Sequence, residues 1–235
     1  MKSIHFAWLL AAGLAFGAGV ASAAAPNLVV NGDFEGGNVN FTSSYNFTSY
    51  TPGGNTTEGQ YTVSVNPYPW NSSFISAGDH TSGSGLMFVG NGSPTDGAIV
   101  WQSSLIAVST ATDYFFEAWV MNVCCTSAYT GANSASILEF SINDVSVGTK
   151  TTNLANAGTW EGLSTSWNSG GATTATLKLI NRNTAAGGND FAIDDISLSI
   201  ESTVTPIPEP EIYAMMGMGL GLLGWVGRRR KQQAA

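Results

Sequence analysis

The sequence predicts an all-β domain, a jelly-roll sandwich of two antiparallel sheets, set between apolar segments at the two termini. Three observations predict it. Short β-branched or aromatic runs recur along the chain and are punctuated by Gly, Asn, Pro and Ser. No stretch between the termini carries a helical apolar stripe of useful length. The composition is poor in charge and rich in Gly, Ser, Thr and Asn, which suits strands and turns and disfavours long helices.

Residues 1–23 read as a signal peptide: Lys2, an apolar stretch from Phe6 to Val20, and a small-x-small site at Ala21-Ser22-Ala23. Cleavage after Ala25 would leave Pro26 against the cut, so Ala23 is preferred. Residues 24–204 form the sandwich domain, about 180 residues and long enough to bury roughly 70% of the unfolded surface. Strands are expected at 28–30, 61–65, 86–89, 99–102 and 105–108, then at 113–123, 136–142, 160–167, 174–181 and 191–200. The run from Asp113 to Val123 is apolar on both faces, which predicts a central strand. Two irregular stretches, 36–59 and 67–85, read as loops, where function concentrates.

Charge excludes one class of function. Between Pro26 and Thr205 the basic residues are Lys150, Lys178 and Arg182, against fourteen Asp and Glu. Nucleic acid requires clustered cations, so it is not expected as a partner. Cys124 and Cys125 are adjacent; a bridge between them would staple no long loop, and two thiols, a vicinal disulfide and an intermolecular link all stay open. The domain holds one histidine, His80, in Gly78-Asp79-His80-Thr81, so a histidine-rich zinc site is excluded and the triplet reads as solvated turn chemistry. No pair of carboxylates is singled out by spacing for glycoside hydrolysis, and the domain is read as non-catalytic. Asn-x-Ser/Thr triplets at Asn40, Asn46, Asn55, Asn71 and Asn91 reflect composition.

The first strand region reads Asn27-Leu28-Val29-Val30-Asn31-Gly32-Asp33-Phe34-Glu35, and the last reads Gly188-Asn189-Asp190-Phe191-Ala192-Ile193-Asp194-Asp195-Ile196. Together they resemble the opening and closing strands of the carbohydrate-binding jelly rolls of the galactose-binding-like group. The resemblance implies that these strands lie together and that a structural calcium ion sits there, with Asp33, Glu35, Asp194 and Asp195 as its candidate ligands. Period two sends Asp194 and Asp195 to opposite faces, so one of them at most is expected to share a site with Glu35. Saccharide contact needs aromatic faces, and Trp70 with Tyr68, in the proline-rich run Asn66 to Asn71, is the candidate pair. Trp101, Trp119, Trp160 and Trp167 fall on strands and are assigned to the core.

Residues 205–235 form the last unit. Pro208-Glu209-Pro210 is stiff and extended, a segment that a protease can grip. The apolar helix expected over 212–226 spans about 22 Å, short of the roughly 30 Å hydrocarbon core. Arg228, Arg229, Arg230 and Lys231 follow as a basic stop, which leaves the C-terminus cytoplasmic and the domain outside. This arrangement resembles the PEP-CTERM sorting signal. The resemblance implies membrane tethering, processing by exosortase, a membrane protease, and delivery to the cell surface or extracellular matrix. The expected function is polysaccharide binding by a non-catalytic domain; the alternative is a structural or adhesive matrix component without a sugar ligand.

Overall fold

The computed structural model describes residues 24–204 except Ala128. The segments 1–23 and 205–235, with the expected signal peptide, Pro-Glu-Pro motif, apolar helix and basic stop, lie outside the described residues. Thirteen strands occur among the described residues: β1 (Phe41–Thr42), β2 (Asn46–Phe47), β3 (Gln60–Ser64), β4 (Met87–Asn91), β5 (Ile99–Ser103), β6 (Ile106–Ala107), β7 (Asp113–Asn122), β8 (Ile137–Ile142), β9 (Val145–Thr151), β10 (Trp160–Asn168), β11 (Thr174–Ala175), β12 (Leu177–Asn181) and β13 (Phe191–Ser199). They build a five-stranded sheet in the order β1-β5-β12-β8-β9 and a six-stranded sheet in the order β10-β7-β13-β4-β3-β2, with β6 and β11 as a small pair. This is the jelly-roll sandwich expected, with one exception to its antiparallel pairing, because β2 runs parallel to β3.

Alternation along the strands explains the layers. Phe116, Ala118 and Val120 of β7, Phe191, Ile193 and Leu198 of β13, and Leu138 and Phe140 of β8 point between the sheets and are fully buried. Each such side chain contributes roughly 1.5–3 kcal/mol. The other face of the six-stranded sheet is also covered. Met87, Val89, Met121 and Ala192 pack there under Trp70 and Phe74 of the 66–77 segment. β7 is therefore a strand buried on both sides, as its double apolar pattern predicted.

Several expectations are corrected. Residues 28–30 are not a strand, although the Leu28 N–H donates to the Leu198 carbonyl at 2.9 Å. The 174–181 run breaks at Thr176, whose N–H turns to the Asn143 side chain at 2.9 Å. The stretch 36–59 contains β1 and β2, and β9 forms from a segment too polar to announce itself. Of the three states left open for Cys124 and Cys125, the structure has the vicinal disulfide, across a cis peptide bond.

Candidate functional site

The 78–86 segment crosses the outer face of the six-stranded sheet and is held there by carboxylates. Asp79 is buried and accepts N–H groups from Ser82 and Gly85, each at 2.7 Å. Burial acting alone would raise the Asp79 carboxyl, but these hydrogen bonds outweigh it and hold the group below its usual range. The N–H groups of the next two residues, His80 and Thr81, donate to Asp194 Oδ2 at 2.8 and 3.2 Å. Asp195 Oδ2 meets His80 Nδ1 at 2.6 Å, and Asp195 Oδ1 accepts from the Thr81 hydroxyl at 2.8 Å.

Asp194 and Asp195 thus face the same loop, against the expectation from period two. The cause is a bulge in β13: the register with β7 shifts between Asp194 and Ser197, and Asp195 adopts a left-handed φ of 47°. Gly32 permits the approach of the N-terminal segment at this bulge. A Cβ on Gly32 would lie 2.0 Å from the Ile196 carbonyl oxygen, whereas the Ile196 N–H donates to the Gly32 carbonyl at 2.9 Å.

Beside the bulge lies a cleft of about 540 Å³ lined by Asn31, Asp33, His80, Trp119, Asp195 and Ser197 among others. His80 stacks on Trp119 with ring centroids 3.9 Å apart and planes 16° from parallel. The Asp195 carboxylate fixes the imidazole edge, so the two rings form a rigid aromatic wall. Among the described residues, His80 Nε2, the Ser197 hydroxyl and one oxygen of Asp33 make no hydrogen bond and line this wall. Asn27 and Asn31 are committed elsewhere: Asn27 locks to the Ile196 and Leu198 backbone, and Asn31 to Gly36, Gly37 and Val39. The arrangement offers an apolar ring surface bordered by an acceptor, a hydroxyl and an imidazole nitrogen.

Three sequence expectations read differently in the structure. Asp33 and Asp195 meet at the cleft, but Asp33, Glu35, Asp194 and Asp195 do not form the calcium site expected of them. The oxygens of Asp194 and Asp195 already receive loop donors, and Glu35 Oε1 accepts the Leu86 N–H at 2.7 Å. Calcium takes six to eight converging oxygens, and no three His, Cys, Asp or Glu side chains gather for a metal among the described residues. Trp70 is fully buried instead of standing in a loop. Asn66 caps a one-turn helix, α1 (Pro67–Trp70), which turns the indole inward, where its N–H donates to the Thr48 hydroxyl at 3.0 Å. Tyr68, on the opposite side of that turn, is 47% exposed and is not joined to Trp70 in a binding surface.

The residues that sequence reasoning passed over are Trp119 and His80. Trp119 was assigned to the core because it lies on a strand, and His80 was read as a solvated turn residue. The available signal was Gly-Asp-His-Thr-Ser-Gly-Ser-Gly itself, a run dense in groups that bond backbone N–H, and hence a built loop.

Residues 206–231 match a family model described as the PEP-CTERM protein-sorting motif. The chain therefore carries this motif at its C-terminus, which marks an exported protein. No curated protein matches the chain. Several solved structures are similar to it. A CBM4 structure is 12% identical over 73% of this chain and 98% of its own, with a TM-score of 0.39. A tandem CBM22 domain from Paenibacillus barcinonensis is 14% identical over 80% of this chain and 49% of its own, with a TM-score of 0.43. The EclA C-terminal domain, described as a sugar-binding protein, is 16% identical over 44% of this chain and 68% of its own, with a TM-score of 0.37.

Proposed function

We propose that this protein is an exported surface or matrix component whose sandwich domain binds polysaccharide, without catalysis, in the cleft beside the β13 bulge. The observation that carries the reading is the His80–Trp119 wall with unpaired polar groups at its edge. A pyranose has apolar C–H faces and a rim of hydroxyls, so it needs both an aromatic surface and hydrogen-bond partners placed around it. The Asp33 carboxylate accepts from a sugar hydroxyl; the Ser197 hydroxyl and His80 Nε2 exchange further bonds. The acidic surface disfavours polyanionic uronate chains and favours neutral or amino sugars.

Under the same reading, Pro208, Glu209 and Pro210 are the segment that exosortase grips, and the short helix with its Arg228–Lys231 stop is a temporary tether. The mass of the mature protein tests this part, because a product that keeps 228–235 has not been processed.

The binding reading is tested by pull-down of the full chain with purified exopolysaccharide and by a glycan array. Trp119→Ala is expected to weaken binding about tenfold or more while the protein still folds. Unchanged binding by Trp119→Ala and His80→Ala sinks the cleft as the ligand site. A chain that folds and binds no glycan supports the purely structural alternative.

A further inference from the structure

A second polar cavity, about 270 Å³, lies at the far corner of the six-stranded sheet, where the chain enters β3, leaves β4 and enters β13; Glu58, Asn91 and Asp190 line it. Asp190 is 5% exposed. One of its oxygens accepts the Gly92 N–H at 3.1 Å, and the other accepts nothing among the described residues. The Glu58 carboxylate makes no hydrogen bond among the described residues, and its Oε2 is fully buried without a partner. Asn91 spends its amide N–H groups on Asn55 and Thr57 and leaves its Oδ1 free. Behind them, Asn189 is pressed against Gly92 with a buried Oδ1 that also lacks a partner.

An uncompensated buried carboxylate is costly, and two together cost more. No cationic side chain among the described residues answers them. Lys150 pairs with Glu161, Lys178 with Asp144, Arg182 with Asp96 and Glu139, and His80 with Asp195.

We infer that this corner binds a hard divalent cation of the calcium class, with Glu58 and Asp190 as charged ligands, Asn91 Oδ1 as a neutral one and water filling the remaining positions. Oxygen-only donors of mixed charge are the set that calcium accepts, and an ion bridging β3, β4 and β13 ties the sheet corner together. The site is separate from the saccharide cleft and does not depend on that reading.

The test uses the full chain in mild detergent at pH 7.5. Saturating calcium is expected to raise the melting midpoint over EDTA by about 5 °C or more, and titration calorimetry to count one ion per chain. Glu58→Gln and Asp190→Asn are each expected to abolish the shift. Glu58→Gln is also expected to melt in EDTA at or above the wild-type temperature, because it removes a repulsion and keeps the shape. Glu35→Gln is expected to retain the shift. If either charge-removing variant fails to fold, Glu58→Asp carries the test through a loss of calcium affinity of about tenfold. Coincident wild-type melts in calcium and EDTA overturn the inference, as does a shift that survives Glu58→Gln or disappears in Glu35→Gln.

Discussion

Glu117, in the middle of β7, and Glu58, just before β3, are both carboxylates drawn toward the six-stranded sheet, and their surroundings are opposite. Glu117 is 1% exposed and is ringed by donors: the Ser164 hydroxyl at 2.6 Å, the Thr203 N–H and hydroxyl at 2.8 and 2.7 Å, and the Ser202 hydroxyl. Burial by itself would raise its carboxyl, but these hydrogen bonds win and hold it below the usual range. Glu58 has no such ring and is raised. The difference teaches that burial does not set a carboxylate's role; the donors that arrive with burial do. Glu117 acts as a clasp for the segment leading out of the domain, whereas Glu58 faces a cavity without a donor among the described residues.

The largest expected effect comes from breaking the clasp. Glu117→Ala takes the shared acceptor from part-buried donors on β10 and on residues 202–204, and is expected to cost about 3 kcal/mol in urea unfolding and to speed proteolysis after residue 201. A loss below about 0.5 kcal/mol would erase the contrast with Glu58, since ordinary surface substitutions cost no more. A smaller loss, about 2 kcal/mol, is expected for Asp194→Ala, which releases the His80 and Thr81 N–H groups. The same variant should weaken saccharide binding because the loop that sets His80 against Trp119 is freed, a change that a glycan pull-down reads directly.

The smallest effect is a pH dependence, and it tests both sides of the comparison at once. Asp194 is raised to about 7, by burial first and then by the charge of Asp195, while N–H donors from Asp195, His80 and Thr81 oppose the rise without cancelling it. Glu58 and Asp190 are raised to about 7 as well. These three acids hold protons that the unfolded chain has released, so their contribution to stability is lost as pH rises from about 4 to about 7. Asp79, Glu117 and Glu161 lie on the other side: their carboxyls are lowered, and the stability they supply is lost as pH falls below the ordinary carboxylate range. Thermal melts in EDTA are therefore expected to peak near pH 5 and to decline by a few degrees toward pH 7. Calcium should remove part of that decline, and a decline of unchanged depth would detach it from the Glu58 corner.

Much of the sandwich was legible in the sequence. β3, β4, β5, β7, β8, β10 and β13 fall where alternating or doubly apolar runs end at turn residues, and the two-sided pattern of Asp113 to Val123 marked the strand that is covered on both faces. β9 escaped because every residue from Val145 to Thr151 is exposed or half-buried and the run carries no clear alternation. Trp70 misled for a local reason, since the prolines that suggested an exposed loop instead start a capped helical turn that directs the indole to the sheet. His80 and Trp119 lie 39 positions apart, and nothing local to either announces that one ring covers the other.

The sequence by itself determined the all-β character, the positions of the longer apolar strands, the acidic balance and the C-terminal sorting motif, because apolar period, turn chemistry and short motifs are properties of neighbouring residues. Only the tertiary structure decided which polar groups are answered. The bulge that turns Asp194 and Asp195 to one loop, the hydroxyls that ring Glu117 and the absence of a donor at Glu58 among the described residues depend on segments brought together from distant parts of the chain. A carboxylate's partners are set by that meeting, and so is the difference between a structural clasp and a site prepared for a ligand.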